Sequence, residues 1–186
     1  MSRQKVVVKD NFLPEEQFAE LANLLMGSEL PWYFNPTVVY CPHHYEGHID
    51  DSFQFVHLFY MAWMPQSTYF DKLRGVLSEL GVFQIHRIKA NLIARTDKQV
   101  LNQFHVDEES FSSDGSVELS KFTTGILYMN TNNGYTEFED GTKVESVANR
   151  MVTFPADTEH RGTSCTDEQT RVVINFNYIK RPLSVV

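Results

Sequence analysis

The sequence predicts an α+β chain that is mainly β, a sandwich or barrel of the jelly-roll or cupin-like kind with two supporting N-terminal helices. Helical periodicity is confined to the part before Val82, and from there short strand-like runs follow one another to Ile179. Turn residues separate those runs, and no internal repeat or low-complexity tract interrupts them. At 186 residues the chain can bury one substantial core and is read as a single domain, 1–186.

Val6-Val7-Val8 is an opening strand, and Asn11-Phe12-Leu13-Pro14-Glu15-Glu16 a turn and helix start, with proline and acids at the positively polarised end. Phe18, Leu21, Ala22, Leu24 and Leu25 recur at helical spacing up to Gly27, an amphipathic brace for a sheet. Between residues 30 and 51 no period holds. The aromatics and histidines there suit a loop at a pocket mouth that closes over substrate. Residues 53–63 read as a buried strand, and 68–81 as a second helix with Phe70, Leu73, Leu77 and Leu80 on one face and Gly81 as its stop. Residues 1–81 are thus support and lid loop, and 82–180 the β core. Strands are expected over 82–94, 103–108, 122–130, 136–138, 143–147, 150–154, 160–165 and 170–179. Turns fall at Ser112-Ser113-Asp114-Gly115, Asn132-Asn133-Gly134, Glu139-Asp140-Gly141 and Thr166-Asp167-Glu168.

Composition narrows the function classes. Lys and Arg number 16 against 24 Asp and Glu, a net charge of −8, so nucleic acid and anionic membranes are not expected partners. Three valines before Lys9 are too short for a signal-peptide core, and no apolar run has membrane-spanning length. With only Cys41 and Cys165, reduced thiols and a cytoplasmic location are expected.

The stretch Asn102-Gln103-Phe104-His105-Val106-Asp107-Glu108 sets an imidazole and a carboxylate two residues apart, on one face of a strand, where both can hold one ion. The tripeptide alone carries little information, since His48-Ile49-Asp50 has the same form. His105 and Asp107 differ in their company. A distal histidine follows in Asp157-Thr158-Glu159-His160-Arg161-Gly162, and then a cation, Arg171, inside the strand Thr170-Arg171-Val172-Val173-Ile174-Asn175-Phe176. Two histidines and one carboxylate form the facial triad of non-haem Fe(II) oxygenases, and an arginine fork suits a carboxylate ligand. Other readings stay open. Cys41, His43, His44 and His48 could form a zinc site, though no second cysteine pair or helix presents them. Glu137 replaces Asp107 as carboxylate if the register differs, and Arg171 alternatively pairs with Glu139 or Asp140 on the rim.

His105-x-Asp107, His160 and Arg171, in this order on a β-rich C-terminal half, resemble the Fe(II)/2-oxoglutarate-dependent dioxygenases, and among them the prolyl-4-hydroxylase-like branch. Thr124-Gly125-Ile126-Leu127-Tyr128-Met129-Asn130, then Gly134-Tyr135-Thr136-Glu137-Phe138, is similar to that branch's Tyr-Leu-Asn segment leading into Gly-Gly-Glu-Thr-x-Phe. Arg150-Met151-Val152-Thr153-Phe154-Pro155 resembles the strand before the distal histidine. The similarity spans about residues 82–180, with Gly-Tyr-Thr-Glu in place of Gly-Gly-Glu-Thr and Arg171 where many prolyl hydroxylases carry lysine.

The resemblance implies a double-stranded β-helix with Fe(II) on His105, Asp107 and His160, and 2-oxoglutarate and O2 as cosubstrates. Arg171 would bind the distal carboxylate of 2-oxoglutarate, with Tyr128 and Asn91 as further partners. Turnover would release succinate and CO2 and hydroxylate a small-molecule or peptide substrate, peptidyl proline among the options. An intact Asp107 points away from the halogenases, which lack that carboxylate. Asn177, where the DNA-repair branch carries a second arginine, points away from base demethylation. The competing expectation is a cupin-like binding protein in which the same cleft holds a small ligand or a structural zinc without turnover.

Overall fold

Strand pairing dominates the architecture because the C-terminal half alternates or runs apolar almost without break, and antiparallel partners are close in sequence. The computed structural model describes residues 6–38, 53–107 and 121–181. In chain order the elements are β1 Val7–Lys9, α1 Glu15–Met26, β2 Tyr33–Asn35, β3 Gln54–Met61, β4 Met64–Pro65, a 3-10 helix Phe70–Leu73, α2 Arg74–Leu80 and β5 Val82–Ala94. There follow β6 Thr123–Tyr128, β7 Tyr135–Phe138, β8 Lys143–Glu145, β9 Arg150–Pro155, β10 His160–Gly162 and β11 Thr170–Lys180. Every pairing is antiparallel. The larger sheet runs β1-β9-β6-β11-β5-β3-β2, with β4 on β3, and the smaller runs β10-β7-β8. The mainly β, jelly-roll-like class with two supporting helices is thus the observed one. No helix among the described residues is long and apolar enough to cross a membrane.

The large sheet is covered on both faces, which explains why β11 is buried along nearly its whole length. One face carries Phe59, Ile88, Ala90, Leu127, Val172, Ile174 and Phe176 against Leu21 and Leu25 of α1 and Leu73, Val76 and Leu80 beside and within α2. The opposite face carries Ile126, Tyr128, Val152, Phe154 and Val173 against Phe138 and Val144 of the small sheet. Side chains alternate along β11, so Val172, Ile174 and Phe176 face the helices while Arg171, Val173 and Asn175 face the other way.

Three sequence expectations change. The second helix begins as a 3-10 turn and is α-helical only from Arg74, so its inward face is Leu73, Val76 and Leu80, with Leu77 only partly covered. Gly81 ends it in the left-handed conformation, φ 64°, as a stop residue should. Residues 103–107, the described part of the strand expected over 103–108, are no strand: His105 makes a single bridge to His160 of β10, and Leu101 just before makes another to Thr163. The His105 ring turns back to the Gln103 carbonyl at 3.1 Å, a local bond that competes with ladder formation. Strands β2 and β4, in a stretch without usable period, were not legible from the sequence. The Ser112–Gly115 turn, the Cys41/His43/His44/His48 cluster, His48-Ile49-Asp50 and most of the 30–51 loop lie outside the described residues.

Asn149 ties the helical layer to the sheet. Its amide accepts from the Leu13 N–H at 2.9 Å and donates to the Leu13 carbonyl at 2.8 Å, and its backbone sits at φ 60°, a region asparagine tolerates. Asn149→Ala strips both buried Leu13 groups of partners and strains the backbone. It is expected to lower stability by about 1–3 kcal/mol, read from denaturant midpoints; an unchanged midpoint would refute this anchoring role.

Candidate metal centre

The open cavity on the non-helical face of the large sheet is lined by Asn91 and Ile93 of β5, Arg171, Val173 and Asn175 of β11, His160 of β10, and His105 and Asp107 from the irregular segment. Geometry brings the three sequence-predicted ligands together: one ligand atom from each of His105, Asp107 and His160 lies within 4.8 Å of the others. Asp107 Oδ1 is 3.8 Å from His105 Nε2 and 3.9 Å from His160 Nε2. The His105–His160 bridge, with reciprocal backbone bonds of 3.0 Å, fixes the two imidazoles side by side.

Each imidazole is oriented by a carbonyl two residues upstream. His105 Nδ1 pairs with the Gln103 carbonyl and His160 Nδ1 with the Thr158 carbonyl, both at 3.1 Å. A carbonyl only accepts, so Nδ1 carries the hydrogen and each Nε2 presents its lone pair towards Asp107. That tautomer, enforced by an outer partner, is the one a metal-binding histidine needs. Burial holds the His160 imidazole below the usual histidine value, outweighing the attraction of Asp107. For Asp107 burial acts upward, but the charges of His160, Arg87 and His105 and a hydrogen bond from Asn177 win, keeping the carboxyl ionised well below the ordinary range.

Arg171 lines the same cavity and is 3% exposed. Its Nε donates to Ser146 Oγ at 2.8 Å and its Nη2 to Thr136 Oγ1 at 3.3 Å. Neither Glu139 nor Asp140 reaches it, and among the described residues it meets no carboxylate. Gly134, from the Asn-Asn-Gly turn, makes room: a Cβ there would stand 2.6 Å from Arg171 Cδ. Asn91 is buried with its Oδ1 unpartnered. Tyr128 is not among the lining residues; its hydroxyl donates to Thr136 Oγ1 at 2.8 Å, and its ring lies 5.6 Å from the Arg171 guanidinium. Glu137 faces the rim, where Arg161 Nη2 holds it at 2.6 Å. Asn102, Thr136, Ser146 and Arg87 were missed by sequence reasoning, because a hydroxyl, amide or strand arginine carries no local pattern of its own.

No protein-family model matches the chain, and no curated protein matches it by sequence. Solved structures do. A Pseudomonas putida prolyl-4-hydroxylase is 16% identical, with 96% of this chain and 94% of that one covered and a TM-score of 0.59. The epimerase SnoN, in complex with Fe3+, alpha-ketoglutarate and nogalamycin RO, is 11% identical over 96% and 80%, TM-score 0.64. HygX from Streptomyces hygroscopicus, with nickel and 2-oxoglutarate bound, is 8% identical over 97% and 84%, TM-score 0.57. The chain has the 2-oxoglutarate oxygenase fold. The prolyl-4-hydroxylase likeness expected from residues 82–180 therefore holds for the fold, and it extends through the N-terminal helices as well.

Within this oxygenase fold the depressed His160 value makes the unfolded chain the better proton binder near the ordinary histidine range. Stability should be full above about pH 6.5 and fall as pH drops below it. Denaturation between about pH 7.5 and about pH 5.5 is expected to show a shallower loss in His160→Gln than in the parent, by at most about 1.4 kcal/mol per pH unit. Parallel losses would place the acid sensitivity elsewhere.

Proposed function

We propose that the protein is an Fe(II)- and 2-oxoglutarate-dependent oxygenase that hydroxylates a small-molecule or peptide substrate, peptidyl proline included, with release of succinate and CO2. The observation that carries this reading is a buried guanidinium that meets no carboxylate among the described residues, in the same cavity as two imidazoles and an ionised carboxylate that lie together. A buried cation of this kind calls for an anion, and a dicarboxylic acid with one end at Arg171 and the other at a metal meets both demands.

The residues fit the groups the fold implies. His105, Asp107 and His160 would supply two nitrogens and one oxygen to a metal, a donor set suited to Fe(II). Arg171 would hold the distal carboxylate of 2-oxoglutarate, with Thr136 and Ser146 fixing the plane of its fork. Tyr128 supports that fork from below through Thr136 and the ring face, and the Asn91 amide is available to the bound acid or substrate. When bound, the iron, 2-oxoglutarate and O2 supply the oxidative decarboxylation that is coupled to oxidation of a substrate C–H bond. The polypeptide selects, orients and excludes water.

Anaerobic addition of Fe(II) and 2-oxoglutarate is expected to give the weak visible charge-transfer band of the chelated keto acid. Alanine at His105, Asp107 or His160 should abolish both the band and iron-dependent succinate formation. No band, together with tight zinc binding, would instead indicate a non-catalytic binding protein. Arg171→Ala should weaken 2-oxoglutarate binding by on the order of 2–5 kcal/mol; an unchanged cosubstrate requirement would remove Arg171 from this role.

A further inference from the structure

Asp107 sits in a turn just beyond the His105 bridge, with no strand of its own to fix its side chain. Its carboxylate is nevertheless gripped from the large sheet. Asn177 Nδ2, on β11, donates to Asp107 Oδ2 at 3.2 Å, while Oδ1 alone faces the two imidazoles. Arg87, on the neighbouring β5 and directly paired with Asn177, closes the arrangement. Its Nη2 donates to the Asp107 carbonyl at 3.1 Å and stands 3.8 Å from Oδ1. Its Nε and Nη2 both donate to Asn177 Oδ1 at 3.3 Å. The remaining Asn177 N–H goes to Thr124 Oγ1 at 3.1 Å. The amide is fully buried and saturated, and a flipped amide would turn its N–H groups onto the guanidinium, so only this orientation satisfies every partner.

We propose that Asn177 and Arg87 are positioning residues that make Asp107 a one-oxygen metal ligand, holding Oδ2 away from the ion and aiming Oδ1 at it. The proposal rests on the metal-site reading above and deepens it. A carboxylate free to chelate through both oxygens would consume one of the positions that cosubstrate and oxygen need. The Asn177 bond engages that second oxygen, and the Arg87 bonds fix both the amide and the backbone from which the carboxylate hangs.

Co(II) alone, titrated into the full chain at fixed pH, tests this without turnover. Asn177→Leu keeps volume and removes the grip; it is expected to weaken Co(II) binding by about 10–100-fold and to shift the Co(II) visible spectrum as the second oxygen enters the coordination sphere. Thr124→Val removes the other bond of the same amide without touching Asp107 and should leave affinity and spectrum as in the parent. If Asn177→Leu does not fold, Arg87→Met carries the test, with the same direction expected. Parental affinity and spectrum in a folded Asn177→Leu or Arg87→Met would overturn the proposal, as would a loss in Thr124→Val equal to that in Asn177→Leu. A parent chain that takes up no Co(II) overturns the function proposed above along with this one, whereas a parental titration in the variants overturns this one alone.

Discussion

The long antiparallel pairing of β5 with β11 is the constraint on which the rest depends. Its register runs from Thr170 opposite Ala94 to Lys180 opposite Val82, and it sets Lys89, Asn91, Arg171 and Asn175 on the cavity. Because successive side chains alternate, one choice of register sends Val172, Ile174 and Phe176 to the helices and Arg171, Val173 and Asn175 to the cavity. A slip by one residue would bury the guanidinium among leucines and expose the aromatic face to the cleft. The helices α1 and α2 act chiefly through this pairing: by covering one face with apolar side chains they make the register costly to change.

That constraint explains a polar interior in a chain whose core is otherwise apolar. Buried amides, hydroxyls and charges cost free energy unless paired, and most here are paired: Thr136 and Ser146 with Arg171, Thr124 with Asn177, Asn149 with Leu13. Among the described residues three buried side-chain atoms keep no partner: Tyr178 Oη, in the core shared with the helices, and the Asn91 and Asn175 oxygens, on adjacent strands lining the cavity. Two of the three therefore gather at the cleft that Arg171 also lines, where among the described residues that guanidinium meets no carboxylate. The overall acidity of the chain does not contradict this, since the cleft is lined by Lys89, Arg171 and two imidazoles, and its carboxylate Asp107 has Arg87 3.8 Å away.

Most strands and both helices were legible because period and turn chemistry are local properties. Gly81 stops α2 and Gly141 adopts the left-handed conformation in the β7–β8 turn, each where a glycine was expected to act. The proximity of His105, Asp107 and His160 was legible from residue type and order, yet for a partly mistaken reason. Strand alternation was expected to align His105 with Asp107, whereas a bridge to His160 and a turn bring them together. Long-range hydrogen bonding of that kind leaves no period to detect. Asn177 illustrates the limit. It was noticed only for not being arginine, and its bond to Asp107 spans seventy residues of sequence.

A division of labour follows from where these groups sit. The three candidate metal ligands lie on short or irregular pieces, a three-residue strand and a turn, whose own bonding is sparse. The groups that orient them lie on the sheet interior or on backbone carbonyls: Asn177 and Arg87 for Asp107, the Gln103 and Thr158 carbonyls for the imidazoles. Stiff strands can thereby impose geometry on a rim that must stay open for ligand entry, because a single hydrogen bond from a buried, saturated amide transmits the sheet's rigidity to a side chain that has no strand of its own. The same logic applies to Arg171, whose fork plane is set by two hydroxyls, one on β7 and one just past β8, and whose stem passes over a glycine because any larger residue would occupy its path.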